Sequence, residues 1–229
     1  MLQTSAKNPS SVTPATLSQR VALKQLAYEE LKRLILSDEL PAGTVQSVRQ
    51  LAARLNMSKT PVHSAIERLE ADGLVALAPQ QGVVVRELSV RDIINHYEIR
   101  QAIEPFVMRR LAGRLTSDQV DLLERNLAEH RDVSNSGQVA ASIQFDAQFH
   151  QLLCSFLGND EIEQLMQRLR DKVQRVIRRV SHQFPERITE SYDEHQAIFD
   201  ALVSGDGQRA ADLANEHLEK GLRRFWPNR

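Results

Sequence analysis

Four side chains in the second half of the chain are of the kinds that hold a divalent metal. Asp146 and His150 stand four residues apart within Phe145-Asp146-Ala147-Gln148-Phe149-His150, so on a helix both project from one face. His195, in Glu194-His195-Gln196-Ala197-Ile198-Phe199, and His217, between Leu213 and Leu218, lie beside inward positions of two further helical stretches. Three neutral imidazoles and one carboxylate suit Zn, Ni, Mn or Fe, and a helical bundle can gather ligands from separate helices. With open coordination positions the same set can activate water, as a metal-dependent hydrolase does, although no obvious general base accompanies it. Four unrelated polar residues on half-buried faces fit the spacing as well.

A second chemistry lies nearer the N-terminus. From Val45 to Ile66 the chain carries Arg49, Arg54 and Lys59 and no acidic residue, the local imbalance that phosphate contact requires. Ser58 is placed to cap a helix whose outward face carries Lys59, Thr60, His63 and Ser64, and these types at a helix N-terminus reach base edges in a groove. An ordinary three-helix core with a solvated basic face fits this spacing equally.

The elements that must position these residues follow from composition and periodicity. The chain has 229 residues, 41% hydrophobic and 26% charged, with 29 Lys+Arg against 30 Asp+Glu and a net charge of -1. Any nucleic-acid site is therefore local and not a property of the whole surface. With 9 Gly, 8 Pro and long stretches at 3.6-residue spacing, the fold class is mainly α. The single cysteine, Cys154, excludes an internal disulfide framework and suits a reducing compartment. No apolar h-region opens the sequence, and the longest apolar run, Leu74 to Ala78, is far shorter than a membrane span. The expected location is the cytoplasm, with no membrane partner.

Residues 1–20, rich in Ser and Thr, are expected to form a disordered tail. Leu23, Ala27, Leu31, Leu34 and Ile35 make the apolar stripe of a first helix; Val48, Leu51, Ala52 and Leu55 mark a second, and Val62, Ile66 and Leu69 a third. Leu74 to Leu77 and Val83 to Val85 flank Pro79-Gln80-Gln81-Gly82 as a hairpin. Helix, helix, turn, helix, hairpin is the order of a winged helix-turn-helix, placed at 21–88. Ser89, with Asp92 three residues on, opens the second part, 89–229. Six helices are predicted there, at about 90–114, 117–133, 137–157, 159–181, 187–204 and 206–226, forming an all-helical bundle. The stripe Ile162, Leu165, Leu169, Val173, Val176 and Val180 reads as core. His96, His130 and His182 are expected on solvated surfaces, as is the basic run Arg168, Arg170, Lys172, Arg175, Arg178 and Arg179.

Two resemblances add to this reading. Leu51-Ala52-Ala53-Arg54-Leu55-Asn56-Met57-Ser58-Lys59-Thr60-Pro61-Val62, Leu69-Glu70-Ala71-Asp72-Gly73-Leu74-Val75 and Gly82 with Val83 to Val85 resemble the DNA-binding domain of GntR-family transcriptional regulators. The resemblance implies that Arg49, Ser58, Lys59, Thr60 and His63 face double-stranded operator DNA and that Gly82 lets the wing approach its backbone. Lys59 and His63 stand where the family usually has Arg, which alters guanine reading, and Gln46-Ser47 replaces the usual Ser-Glu before the second helix. Tyr97-Glu98-Ile99-Arg100-Gln101-Ala102-Ile103-Glu104, Asp146-x3-His150, Glu194-His195-x2-Ile198 and Asn215-Glu216-His217 resemble the FCD ligand-binding domain of the FadR subfamily, in its VanR-like six-helix form. That resemblance implies a divalent metal, Zn foremost, on Asp146, His150, His195 and His217. It also implies a small organic acid clamped by Arg100, for which a surface ion pair with Glu98 or Glu104 is the competing reading.

The resulting expectation is a homodimeric, ligand-responsive DNA-binding regulator and not an enzyme. Repression relieved by a small carboxylate effector is expected over activation, with direct metal sensing as the alternative.

Overall fold

A computed structural model describes residues 14–78, 82–87, 89–181 and 186–225. The chain divides into two compact units, one through Arg86 and one from Glu87.

In the first unit α1 (Pro14–Leu36), α2 (Val48–Arg54) and α3 (Lys59–Ala71) accompany a small antiparallel sheet of β1 (Val45–Gln46), β2 (Val75–Ala78) and β3 (Gly82–Val85) in the order β1-β3-β2. The start of α1 corrects the expected tail over residues 14–20: Pro14 suits the first helical position because its missing N–H has no intrahelical partner to lose, and Ala15, Leu17, Gln19 and Arg20 are good helix formers. Residues 1–13, and 79–81 where the hairpin turn is expected, lie outside the described residues. Ala27, Leu31, Leu34 and Ile35 are buried against Leu51, Val62, Ile66, Leu69, Val75 and Val83, whereas Leu23, assigned to the same stripe, is 40% exposed. The Gln46-Ser47 departure leaves a complete cap: the Ser47 hydroxyl accepts from Gln50 N while Gln50 Oε1 accepts from Ser47 N. Tyr28 donates to Asp72 at 2.7 Å, and the Arg68 guanidinium lies 3.7 Å from the Tyr28 ring centre, tying the end of α3 to α1.

The two-residue strand β1 carries no periodicity and was not expected. It sets the chemistry of Gly82, which has φ 114°, and a Cβ built there meets the Gln46 carbonyl oxygen at 2.6 Å. Glycine is required at this point inside the unit, irrespective of what the wing meets.

The second unit comprises α4 (Val90–Leu111), α5 (Ser117–Asn135), α6 (Val139–Phe156), α7 (Asp160–Ser181), α8 (Glu186–Val203) and α9 (Gly207–Phe225). Ser89 and Thr116 open α4 and α5 with capping boxes closed by Asp92 and Gln119. Helix α6 packs on α4, α5, α7 and α8, and α9 packs on α4 and α8. A core of Val107, Met108, Leu123, Phe149, Leu153, Ile198, Leu202 and Ala214 fills the interior. Gly221 brings α9 close to α4: a Cβ there meets the Tyr97 hydroxyl at 2.8 Å. Ile162 and Leu169 pack against the core, while the side chains of Val173, Val176 and Val180 lie outside the described residues, as does the expected stop at Phe184-Pro185.

Gly82→Ala is expected to destabilise the first unit by about 1–3 kcal/mol, since it adds both a clash with backbone and an unfavourable φ. A urea melt reads this as a lower midpoint, and an unchanged midpoint contradicts the close approach to Gln46.

Candidate metal centre and nucleic-acid interface

Each predicted metal ligand occupies a place in the inward stripe of its helix. On α6 the stripe runs Ser142, Ile143, Asp146, Phe149, His150, Leu153; on α8 it runs Ser191, His195, Ile198, Phe199, Leu202; on α9 it runs Ala210, Ala211, Ala214, His217, Leu218, Leu222. Polar side chains at such positions face one another; the three imidazoles are buried, and Asp146 stands at the edge, 21% exposed. One ligand atom from each of Asp146, His150, His195 and His217 lies within 4.8 Å of the others. His150 Nε2 is 3.1 Å from His195 Nε2 and 3.2 Å from His217 Nε2, His195 Nε2 is 3.4 Å from His217 Nε2, and Asp146 Oδ1 is 3.6 Å from His195 Nε2.

These separations can be compared with what a metal demands. Nitrogens bound at about 2.0–2.1 Å to one ion lie about 3.0 Å apart at right angles and about 3.4 Å apart at tetrahedral angles. The three imidazole nitrogens fall in that interval, so the donor set fits a first-row divalent cation both chemically and in spacing.

The surroundings hold the rings in place. Glu194 Oε2 lies 2.7 Å from His217 Nδ1, and Lys220 Nζ is 3.3 Å from the other Glu194 oxygen. Glu104 Oε2 is 3.0 Å from His150 Nδ1, the Phe149 ring stacks on His195 at 4.3 Å, and Ser191 donates to Asp146. Burial alone raises the Asp146 carboxyl, but the facing His150 and His217 outweigh it and hold Asp146 at about 2, ionised and ready to ligate.

Arg100 is buried, and its Nε donates to Glu104 Oε1 at 2.5 Å. This corrects the surface ion pair: the partner is Glu104, but the pair is enclosed. Burial disfavours the guanidinium charge, yet Glu104 overrides it and Arg100 stays charged. Its Nη2 has no hydrogen-bond partner among the described residues. Arg100 lines a cavity of about 40 Å³ together with His96, Asp146, His150, Met166 and Arg170.

Two further corrections concern His96 and His130, which are 5% and 1% exposed and not on solvated surfaces. Burial, with the Arg100 charge, pushes His96 down to about 3, so it is a neutral wall of the cavity. His130 Nε2 meets the Ser142 hydroxyl at 3.0 Å, and its ring lies 5.6 Å from that of His195. Arg170, from the basic run, is half-buried and donates to Gln151; Arg168 is exposed; His182 and the side chains of Lys172, Arg175, Arg178 and Arg179 lie outside the described residues.

In the first unit Arg49, Ser58, Lys59, Thr60 and His63 are all exposed. Ser58 is the N-cap of α3 but makes no side-chain cap hydrogen bond, which leaves its hydroxyl available beside the open N–H groups of the first turn. Lys59, Thr60 and His63 line a shallow groove with Lys24 of α1, a cation that no pattern in its own segment marks. Arg54, in contrast, is engaged 3.3 Å from Glu39, an acidic residue outside the 45–66 window, and His63 Nδ1 lies 3.4 Å from Glu67.

Comparisons with known proteins agree with this layout. A profile described as "Bacterial regulatory proteins, gntR family" matches residues 23–85, and one described as "FCD domain" matches residues 95–220. The chain is 31% identical over 199 residues, 86% of each chain, to the HTH-type transcriptional repressor RspR of Escherichia coli K12. Among solved structures it is similar in fold to E. coli McbR/YncC, with TM-score 0.78 and 19% identity over 90% of this chain and 97% of that one. A GntR regulator from Rhodococcus sp. RHA1 gives TM-score 0.77 and 21% identity over 93% and 99%. By name, RspR is a transcriptional repressor, and both family profiles describe parts of bacterial regulatory proteins. No helix among the described residues is long and apolar enough to cross a membrane.

The lone cysteine supplies a check on the packing of this unit. Cys154 is 1% exposed, and burial, with the Glu104 charge, pushes its thiol up to about 12. A group raised in this way stays protonated at pH 8, so native protein is expected to resist a thiol-disulfide reagent that labels it fully in denaturant. Rapid labelling of the native protein contradicts the packing around α6.

Proposed function

The chain belongs to the GntR family of bacterial regulatory proteins and carries an FCD domain, and from that premise we propose that it is a repressor whose hold on its operator is set by a small carboxylate bound beside a divalent metal. As a DNA-binding transcriptional regulator it uses the first unit to read operator DNA. The proposal assigns base and phosphate contacts to Arg49, Ser58, Lys59, Thr60 and His63 and a close backbone approach to the wing at Gly82, with a homodimer presenting two such faces to two half-sites in the cytoplasm. It places the domain division at 88/89.

The observation that carries the regulatory half is the convergence of Asp146, His150, His195 and His217 next to a buried Arg100 with an unused N–H group. Bound there, a metal supplies a localised double positive charge and open positions for an oxygen ligand. Arg100 offers the fork that holds the far end of an acid, Asp146 stays anionic, and the neutral His96 adds no competing charge. Effector and operator then communicate by linkage, each altering the affinity of the other by the same factor. The designation of RspR as a repressor supports the sign. The small size of the cavity, about 40 Å³, favours a second reading, in which the metal ion alone is the signal.

Operator affinity of metal-free protein, of protein with Zn²⁺ or Ni²⁺, and of metal-loaded protein with a panel of short carboxylates separates these readings. The expected result is weaker operator binding only with metal and acid together. His195→Ala is expected to lose metal content and acid response jointly, and Arg100→Ala to keep the metal and lose the acid. If chelated protein answers the same acid with unchanged affinity, the coupled reading is wrong. On the DNA side, Lys59→Ala is expected to weaken operator binding by about 1–3 kcal/mol if it reads a base and less if it touches phosphate; wild-type affinity in a filter or anisotropy assay removes Lys59 from the interface.

A further inference from the structure

A buried glutamate links the two halves of the regulatory site. Glu104 is fully enclosed, and its two oxygens face two different neighbours: Oε1 accepts from Arg100 Nε at 2.5 Å, and Oε2 lies 3.0 Å from His150 Nδ1, within ion-pair distance but out of line for a hydrogen bond until the ring or the carboxylate turns. Burial works against its charge, and the Arg100 guanidinium outweighs burial and keeps it ionised. A carboxylate at the rear nitrogen of a histidine fixes the proton on Nδ1, leaves the Nε2 lone pair facing forward and raises the basicity of the ring. Glu194 makes the hydrogen-bonded form of this contact on the opposite side of the centre, 2.7 Å from His217 Nδ1.

We infer that Glu104 is a positioning residue shared by both binding functions: it orients His150 for the metal and holds Arg100 for an anion, so the two sites draw on one negative charge. The inference rests on the metal reading of Asp146, His150, His195 and His217. The sharing has a consequence that simple structural support lacks. Arg100 draws on the carboxylate that serves His150, so the two halves of the ion pair affect metal binding in opposite directions. Removing Glu104 weakens the metal, whereas removing Arg100 releases the full charge of Glu104 to His150 and takes a cation away from the centre.

The test uses the full chain, with Ni²⁺ alone as the probe. Chelator competition is expected to give about 10–100-fold weaker Ni²⁺ binding for Glu104→Met, and binding at least as tight as wild type for Arg100→Met. Should the unpaired charge in Glu104→Met prevent folding, Arg100→Met/Glu104→Met removes both charges and is expected to bind Ni²⁺ about 10–100-fold more weakly than Arg100→Met. Histidine side-chain nitrogen spectra of metal-free protein, with His150 assigned by its absence from His150→Asn, are expected to show the Nδ1–H form in wild type and its loss without Glu104. Folded Glu104→Met with wild-type Ni²⁺ affinity, or a double variant that binds Ni²⁺ as tightly as Arg100→Met, overturns the inference, as does an equal fall in affinity for Arg100→Met and Glu104→Met. A wild type that binds neither Ni²⁺ nor Zn²⁺ overturns it together with the metal reading, whereas a wild type that binds Ni²⁺ with His150 protonated on Nε2 overturns the role of Glu104 alone.

Discussion

Three imidazole nitrogens enclosed within 3.4 Å of one another form the constraint around which the second unit is built. Each Nε2 is either a donor or an acceptor, and three of them facing inward cannot all carry a proton, nor can all remain bare without mutual repulsion. The structure answers from behind the rings: Glu104 and Glu194 stand at the Nδ1 atoms of His150 and His217, and Phe149 stacks flat on His195. The charges follow the same logic. Glu104 is matched by Arg100 and Glu194 by Lys220, while Asp146 keeps a negative charge facing the nitrogens. A dication placed among the nitrogens and Asp146 resolves both the crowding and the residual charge.

The first unit meets the opposite requirement, since its exposed basic and hydroxyl groups stay in water while a small core holds them in place. Val62, Ile66 and Leu69 bury one side of α3, and the same turns present Lys59, Thr60 and His63 outward. The Ser47 cap, the Tyr28–Asp72 hydrogen bond and the three-stranded sheet fix the ends of this assembly where apolar area runs out.

Much of this was legible from residue order. The bundle helices fall within a few residues of their expected limits, because their apolar stripes and the capping residues Ser89 and Thr116 are local signals. The fact that Asp146, His150, His195 and His217 share one space follows from the pairing of α6 with α8 and of α8 with α9, which spacing within a helix does not determine. Arg100 and Glu104 show the limit clearly. They interrupt the stripe Ile93, Tyr97, Val107, Leu111 at its inward places, four residues apart, and that pattern reads equally as an exposed ion pair or a buried one. His96 and His130 were misplaced for the same reason, since a lone histidine beside an apolar residue does not reveal which side of the stripe it occupies. The strand β1 was invisible because two residues have no period, and Glu39, which meets Arg54, lies outside the acid-free segment 45–66.

The order in which the pieces occur along the chain has a temporal consequence. The operator-reading unit ends at Arg86, whereas the ligand set needs Asp146 and His195 and is closed by His217 on α9. Domains fold as units during synthesis, N-terminal first, at about 5–20 residues per second, so the DNA-reading half emerges roughly 7 to 26 s before the last imbalance among those imidazoles can be resolved. Each newly made molecule therefore passes through an interval in which the first unit is complete and the helical bundle is not.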